Sequence, residues 1–268
     1  MIRLVVSDLD GTLLKEGSQN LPTQMHSLIN ELSRLSIRFV AASGRPYWNV
    51  RDVFAESASK ISYICENGGV VILDEELLFQ EFFPEDLMRE ILETMDETEK
   101  VELTMSTKDW HYLKPKSPEF EKMIRTVLRY RSKTVQSLSE IPISEGVKAA
   151  AYIQGREIPE ILPLLQERFG KRCKVVTAGN NWIDFIPLNC GKGKGLKKMR
   201  EALNISEEEC VVFGDEYNDL DMLKSVRYSF AMTTAKPGVR EEAAYQTDSV
   251  EKVLRQLVLS GGDILKVL

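Results

Sequence analysis

The sequence predicts an α/β protein: a doubly wound, mainly parallel sheet interrupted by an inserted α+β module. Three observations predict it. Short apolar runs alternate with helical periodicity at both ends of the chain, most of those runs stop at loops of small and charged residues, and the rhythm changes between residues 84 and 187.

Ile2 to Val6 is too short for a helix and runs into Ser7 and Asp8, so it is a buried strand with Asp8 at its carboxyl end. Thr23 to Leu35 then sets Leu28, Ile29, Leu32 and Leu35 at helical spacing. A β-type run returns from Ile37 to Ala42 and ends at Ser43-Gly44-Arg45-Pro46. Tyr63 to Cys65 is a further short strand, closed by Glu66-Asn67-Gly68-Gly69, with Val70 to Leu73 as a hairpin partner. Such alternation gives a mainly parallel sheet with helices on both faces.

Between Pro84 and Pro187, helical stretches at Glu85 to Thr98, Pro118 to Arg131 and Ile158 to Phe169 are interleaved with strand-like Val101 to Ser106, Ala149 to Gln154 and Cys173 to Ile186. The first rhythm resumes with a helix at Gly195 to Leu203, a strand at Cys210 to Phe213 and a helix from Asp219 to Ser225. The expected organisation is a split core, residues 1–83 and 188–268, around an insert, residues 84–187, whose two crossings act as paired hinges.

Composition narrows the function. The 268 residues are 43% apolar with charges of both signs dispersed, which fits one ordinary globular chain. A formal net charge of −6 offers no clustered positive surface for nucleic acid or anionic membrane. The N-terminal run lacks the length of a signal peptide, and no stretch is long enough to cross a bilayer. Cys65, Cys173, Cys190 and Cys210 are scattered without a CxxC pair and are expected to be buried or incidental thiols in a reducing cytoplasm. With His26 and His111 the only histidines, a zinc site is disfavoured.

Four loops carry the chemistry: Asp8-Leu9-Asp10-Gly11-Thr12, Ser43-Gly44-Arg45, Gly191-Lys192-Gly193, and Gly214-Asp215-Glu216-Tyr217-Asn218-Asp219. In an open parallel sheet they converge at the carboxyl edge, where such folds bind ligands. Two carboxylates two residues apart repel unless a cation or proton lies between them, and a divalent ion is the simplest solution. Asp-x-Asp by itself is as often an acidic turn; the company of the other three loops decides for a site. Ser43 and the Gly44 amide can hold phosphate oxygens. The last loop opens a helix, placing carboxylates near an ion and amides near an anion. No Ser or Thr follows Lys192 or Lys194, which excludes a Walker-type loop.

The run Asp8-Leu9-Asp10-Gly11-Thr12-Leu13-Leu14 resembles the first motif of the haloacid-dehalogenase superfamily, Ser43-Gly44-Arg45 its second, and Gly214-Asp215 to Asp219 its GDxxND motif. Motif order, the insertion after Gly68 and Ala231-Met232 with Ala235-Lys236-Pro237 resemble the Cof-type subfamily with its large α/β (C2-type) cap. Thr233-Thr234 and Val250 to Leu254 depart from that subfamily's usual residues.

The resemblance implies a Rossmann-like core with an inserted cap, and a phosphatase acting on small phosphate esters, sugar phosphates among them, with Mg²⁺; a monomer is the default, because a full cap can cover the site without another subunit. It assigns Asp8 as nucleophile and metal ligand and Asp10 as general acid and base that meets the metal through its backbone carbonyl. Asp215 and Asp219 become metal ligands, and Asn218 orients Asp8, Lys192 or the phosphate. Ser43, Gly44 and Lys192 become phosphate-binding groups, while Arg45 faces substrate or cap. Lys192 is preferred to Lys194 because the segment then leads into the helix at Leu196 without a gap. A phosphomutase or phosphotransferase would use the same groups, and a phosphorylation- or metal-dependent switch is the non-enzymatic alternative. Trp110, His111, Tyr112 and Trp182 are expected to be packing residues before substrate contacts.

Overall fold

The computed structural model describes residues 1–14, 18–153, 158–178 and 181–268. In chain order its strands are β1 (Leu4–Asp8), β2 (Arg38–Ala42), β3 (Ile61–Cys65), β4 (Val70–Leu73), β5 (Glu76–Gln80), β6 (Val101–Ser106), β7 (His111–Lys114), β8 (Ser132–Thr134), β9 (Lys148–Ile153), β10 (Cys173–Ala178), β11 (Trp182–Pro187), β12 (Cys210–Gly214), β13 (Tyr228–Met232) and β14 (Tyr245–Thr247). The chain divides into two compact units, one of residues 1–45, 50–79 and 191–268, the other of residues 46–49 and 80–190.

The first unit is a doubly wound sheet in the order β14-β13-β12-β1-β2-β3-β4-β5. Strand β1 is parallel to β12 on one side and β2 on the other, with Ser7 beside Phe213 and Asp8 beside Ala42. Leu4, Val5 and Val6 are wholly buried, as a strand covered on both faces requires. Because β1 is followed in one direction by β2 and flanked in the other by the late strand β12, its carboxyl end is a topological switch point, where a crevice opens. The first long helix runs Met25–Arg34 and buries Met25, Leu28, Ile29 and Leu32. Leu35 does not join that stripe: it caps the helix at 40% exposure, and Ser36 follows in a left-handed conformation with φ 59°.

The second unit is a six-stranded sheet in the order β10-β11-β9-β6-β7-β8. One face packs on the helices Glu85–Glu97 and Ile158–Phe169 through a core that includes Met88, Ile91, Leu103, Met105, Phe169 and Phe185. The stretch expected as one strand from Cys173 to Ile186 is the antiparallel pair β10 and β11, with Cys173 opposite Pro187. The stretch expected as one helix from Pro118 to Arg131 is α-helical only over Pro118–Lys122, continues as a π turn over Met123–Val127, and gives way to β8. Gln154, the expected end of the strand now seen as Lys148–Ile153, lies outside the described residues.

Tyr112 and Trp110 belong to the unit's main core, and Trp182 packs on a smaller one with Phe120 and Tyr152. His111 is buried, its Nδ1 2.9 Å from Ser106 Oγ. All four cysteines are buried thiols. No helix of the described residues is long and apolar enough to cross a membrane.

Candidate active site

The carboxyl ends of β1, β2 and β12, with the start of the helix Lys192–Leu203, bring the expected loops together in the first unit. Asp8 ends β1 and is 5% exposed. Its Oδ1 accepts a hydrogen bond from Lys192 Nζ at 2.6 Å, and its Oδ2 is buried with no donor among the described residues. Lys192 opens the helix Lys192–Leu203, and the same ammonium donates to Asp219 Oδ1 at 2.7 Å. Lys194, two residues on, lies on the exposed face of that helix.

Asp219 is wholly buried and fully engaged, because its Oδ2 accepts the backbone amides of Asp215 and Glu216, each at 3.0 Å. That double acceptance folds the loop after β12 into a tight turn over Tyr217–Asp219. Asp215 is held by Thr12, whose hydroxyl donates to Oδ1 at 2.7 Å. Gly11 makes this approach possible: its φ is +88°, and a Cβ there would lie 2.2 Å from Asp215 Oδ2.

Asp8, Asp215 and Asp219 each offer a carboxylate oxygen, all within 4.8 Å of one another. One ammonium cannot neutralise three buried carboxylates. Burial drives the Asp8 carboxyl well above its ordinary range, against the pull of Lys192 and with further push from Asp219 and Asp215. Burial likewise raises Asp215, to about 6. Burial alone would lower the Lys192 ammonium, but Asp219 and Asp8 outweigh it and hold the proton firmly. The donor set fits a hard divalent cation: oxygen ligands only, surplus negative charge, and Asp8 Oδ2 buried without a donor.

The remaining expected residues lie around this cluster. Asp10 is not in it. Its side chain is half exposed and turned to Arg45, whose Nε donates to Oδ2 at 2.7 Å while a second nitrogen meets Oδ1. Arg45, buried on the second loop, also donates to Gln19 at 2.7 Å. Ser43 is buried, and its hydroxyl accepts the Arg45 amide at 3.1 Å. Asn218 donates through Nδ2 to Asn67 Oδ1 at 3.0 Å, with its own Oδ1 buried and without a partner among the described residues.

Two residues were not singled out from the sequence. Thr12 stands inside the first motif, where only its hydroxyl beside a run of carboxylates hinted at a role. Asn67 stands in an Asn-Gly pair that reads as turn chemistry alone.

Residues 5–255 match the haloacid dehalogenase-like hydrolase family. The chain is 28% identical over 265 residues to the 5-amino-6-(5-phospho-D-ribitylamino)uracil phosphatase YbjI of Escherichia coli, covering 95% of this chain and 97% of that one. It is 26% identical over 243 residues to the HMP-PP phosphatase of Shigella flexneri, covering 90% and 88%. The crystal structure of TM0651 from Thermotoga maritima superposes with a TM-score of 0.82 at 30% identity, over 95% of this chain and 97% of that one. With a Rossmann-like parallel core, a carboxylate cluster at its switch point and relatives of this kind along nearly its whole length, the chain belongs to the haloacid dehalogenase-like hydrolases and is an enzyme of their phosphatase branch.

Proposed function

We propose that the chain hydrolyses small organic phosphate monoesters, sugar phosphates or similar metabolites, through an aspartyl-phosphate on Asp8, with Mg²⁺ held by Asp8, Asp215, Asp219 and the backbone carbonyl of Asp10. One observation carries this: Asp8 presents a buried oxygen with no donor, while its other oxygen is tied to Lys192.

That asymmetry leaves Oδ2 to face the cation when it is bound. The Asp8 carboxylate attacks phosphorus, and the ester P–O bond breaks as the new P–O bond to Asp8 forms. Lys192, fixed by Asp219, neutralises charge on the phosphoryl oxygens, and the Ser43 hydroxyl and Gly44 amide hold them in place. When bound, the cation supplies electrostatic stabilisation of the same charge. Asp10 gives a proton to the leaving oxygen and later takes one from the water that cleaves the acyl-phosphate, regenerating the Asp8 carboxylate. Arg45 holds Asp10 at the edge of the cluster between these steps. In this reading residues 1–83 and 188–268 are the catalytic core, and residues 84–187 are a cap that selects the leaving group.

The names of two relatives, a phosphatase of a phosphoribityl compound and an HMP-PP phosphatase, support small phosphate compounds as the substrate class. Phosphate release from a panel of esters, with and without Mg²⁺ and with Asp8→Asn as control, tests the reading. Undiminished release by Asp8→Asn rejects it.

A further inference from the structure

Glu66, Asn67 and Gly68 form three consecutive left-handed residues, with φ of 51°, 53° and 86°. Such a run persists only where its surroundings hold it. The restraints come from the candidate phosphate loops. The Glu66 amide donates to the Arg45 carbonyl at 3.1 Å, and the Asn67 amide donates to the Ser43 carbonyl at 3.2 Å. Gly68 lies so close to the third loop that a Cβ there would sit 2.1 Å from the Gly191 carbonyl oxygen.

The turn delivers one side chain to a fixed place. The Asn67 carboxamide is 3% exposed and lies over Gly44, where a Cβ would be 3.2 Å from both its polar atoms. Its Oδ1 accepts Asn218 Nδ2 at 3.0 Å. Among the described residues the Asn218 carboxamide has no other partner, so this bond sets which way the group faces and leaves its buried Oδ1 turned elsewhere.

We propose that Asn67 is a positioning residue of the phosphate site: its carboxamide orients Asn218 and seats the Ser43-Gly44-Arg45 loop, joining the second and fourth motifs. The proposal rests on the functional reading above and adds a residue that none of the four motifs contains. Asn is suited to it on two counts. It tolerates left-handed backbone better than other non-glycine residues, and its side chain both donates and accepts.

The test measures binding of inorganic phosphate in the presence of Mg²⁺ by titration calorimetry, together with melting temperatures, for wild type, Asn67→Gly, Asn67→Ala, Asn218→Ala and the Asn67→Gly/Asn218→Ala double variant. Glycine keeps the left-handed backbone and deletes only the carboxamide, so Asn67→Gly is expected to melt like wild type and bind phosphate about five- to tenfold more weakly. Asn67→Ala is expected to show the same loss of affinity with a lowered melting temperature. The double variant is expected to lose less affinity than the product of the two single losses, since both single variants break the same Asn67–Asn218 bond.

Wild-type affinity in Asn67→Gly, or losses that multiply in the double variant, overturns the proposal. An Asn67→Gly chain that does not fold overturns it too, because the carboxamide is then structural. A wild-type protein that binds no phosphate removes the functional reading itself, and this proposal with it.

Discussion

The guanidinium of Arg45 grips both carboxylate oxygens of Asp10, with Nε 2.7 Å from Oδ2. The pair sets the proposed acid and base beside the cluster and not inside it. Asp8, Asp215 and Asp219 form the carboxylate cluster while Asp10 stays at its edge, where the proposal brings a leaving oxygen to it.

Asp10→Asn is expected to lower phosphate release at saturating ester by about a hundred- to ten-thousand-fold, the usual contribution of a positioned acid and base. Arg45→Lys, which cannot fork across two oxygens, is expected to fall between wild type and Asp10→Asn. Steady-state kinetics on all three chains checks the order.

Lys192→Met removes the one ammonium among three buried carboxylates. Breaking a buried pair costs about 3–5 kcal/mol, so the metal-free variant is expected to unfold at markedly lower denaturant than wild type. Part of that loss returns on adding Mg²⁺ or on lowering the pH, both of which relieve the repulsion. Equal unfolding midpoints for variant and wild type would contradict the arrangement.

The metal-free protein is expected to lose stability as pH rises through the window from about 4 to 6. The Asp215 carboxyl is raised in the folded state from 3.8 to about 6, chiefly by burial. Across that window the folded chain binds more protons than the unfolded one, so raising the pH favours unfolding. The shift corresponds to about 2–3 kcal/mol by linkage. Asp215→Asn flattens this part of the profile, and Mg²⁺ restores stability at pH 7 to wild type alone.

A group with the opposite pH dependence sits in the inserted unit. Burial, with Lys148 nearby, pushes the His111 imidazole down to about 3. The unfolded chain takes up this proton near 6.5 and the folded one does not, so stability falls as pH drops from about 6.5 towards 3. The full effect is about 5 kcal/mol at the acid end. His111→Gln, which keeps a polar group beside Ser106, is expected to remove it, as denaturant titrations at pH 7 and pH 4 would show.

Gly11→Ala places a methyl group where Asp215 Oδ2 lies and forces a side chain onto backbone at φ +88°. The fold around β1 is expected to survive, with Mg²⁺ affinity reduced at least about tenfold as Asp215 is displaced. Calorimetric titration with Mg²⁺ measures it.

The central strands and the four loops were legible because each is short-range: a handful of apolar residues followed by a turn. Lys192 was distinguishable from Lys194 by the helix it opens, and the exposed face on which Lys194 lies shows the physical difference. Partnerships across the chain were not legible. Nothing local to Arg45 says that it holds Asp10, and nothing local to Thr12 says that it holds a carboxylate more than two hundred residues later.

Strands β8 and β14 are three residues each and partly exposed, so their apolar pattern is weak and only sheet neighbours define them. The break in the helix after Lys122 has no proline or glycine to announce it.

Because β1 lies between β2 and β12, the proposed nucleophile is delivered by an early strand, while its ammonium partner follows 184 residues later and two companion acids later still. A ribosome must therefore translate the whole inserted unit before β1 gains its second neighbour. Until then β1 offers a bare apolar edge, a template for pairing with other nascent chains. A product terminated at residue 190 would carry Asp8 yet no means of activating it, and aggregation would be its expected fate.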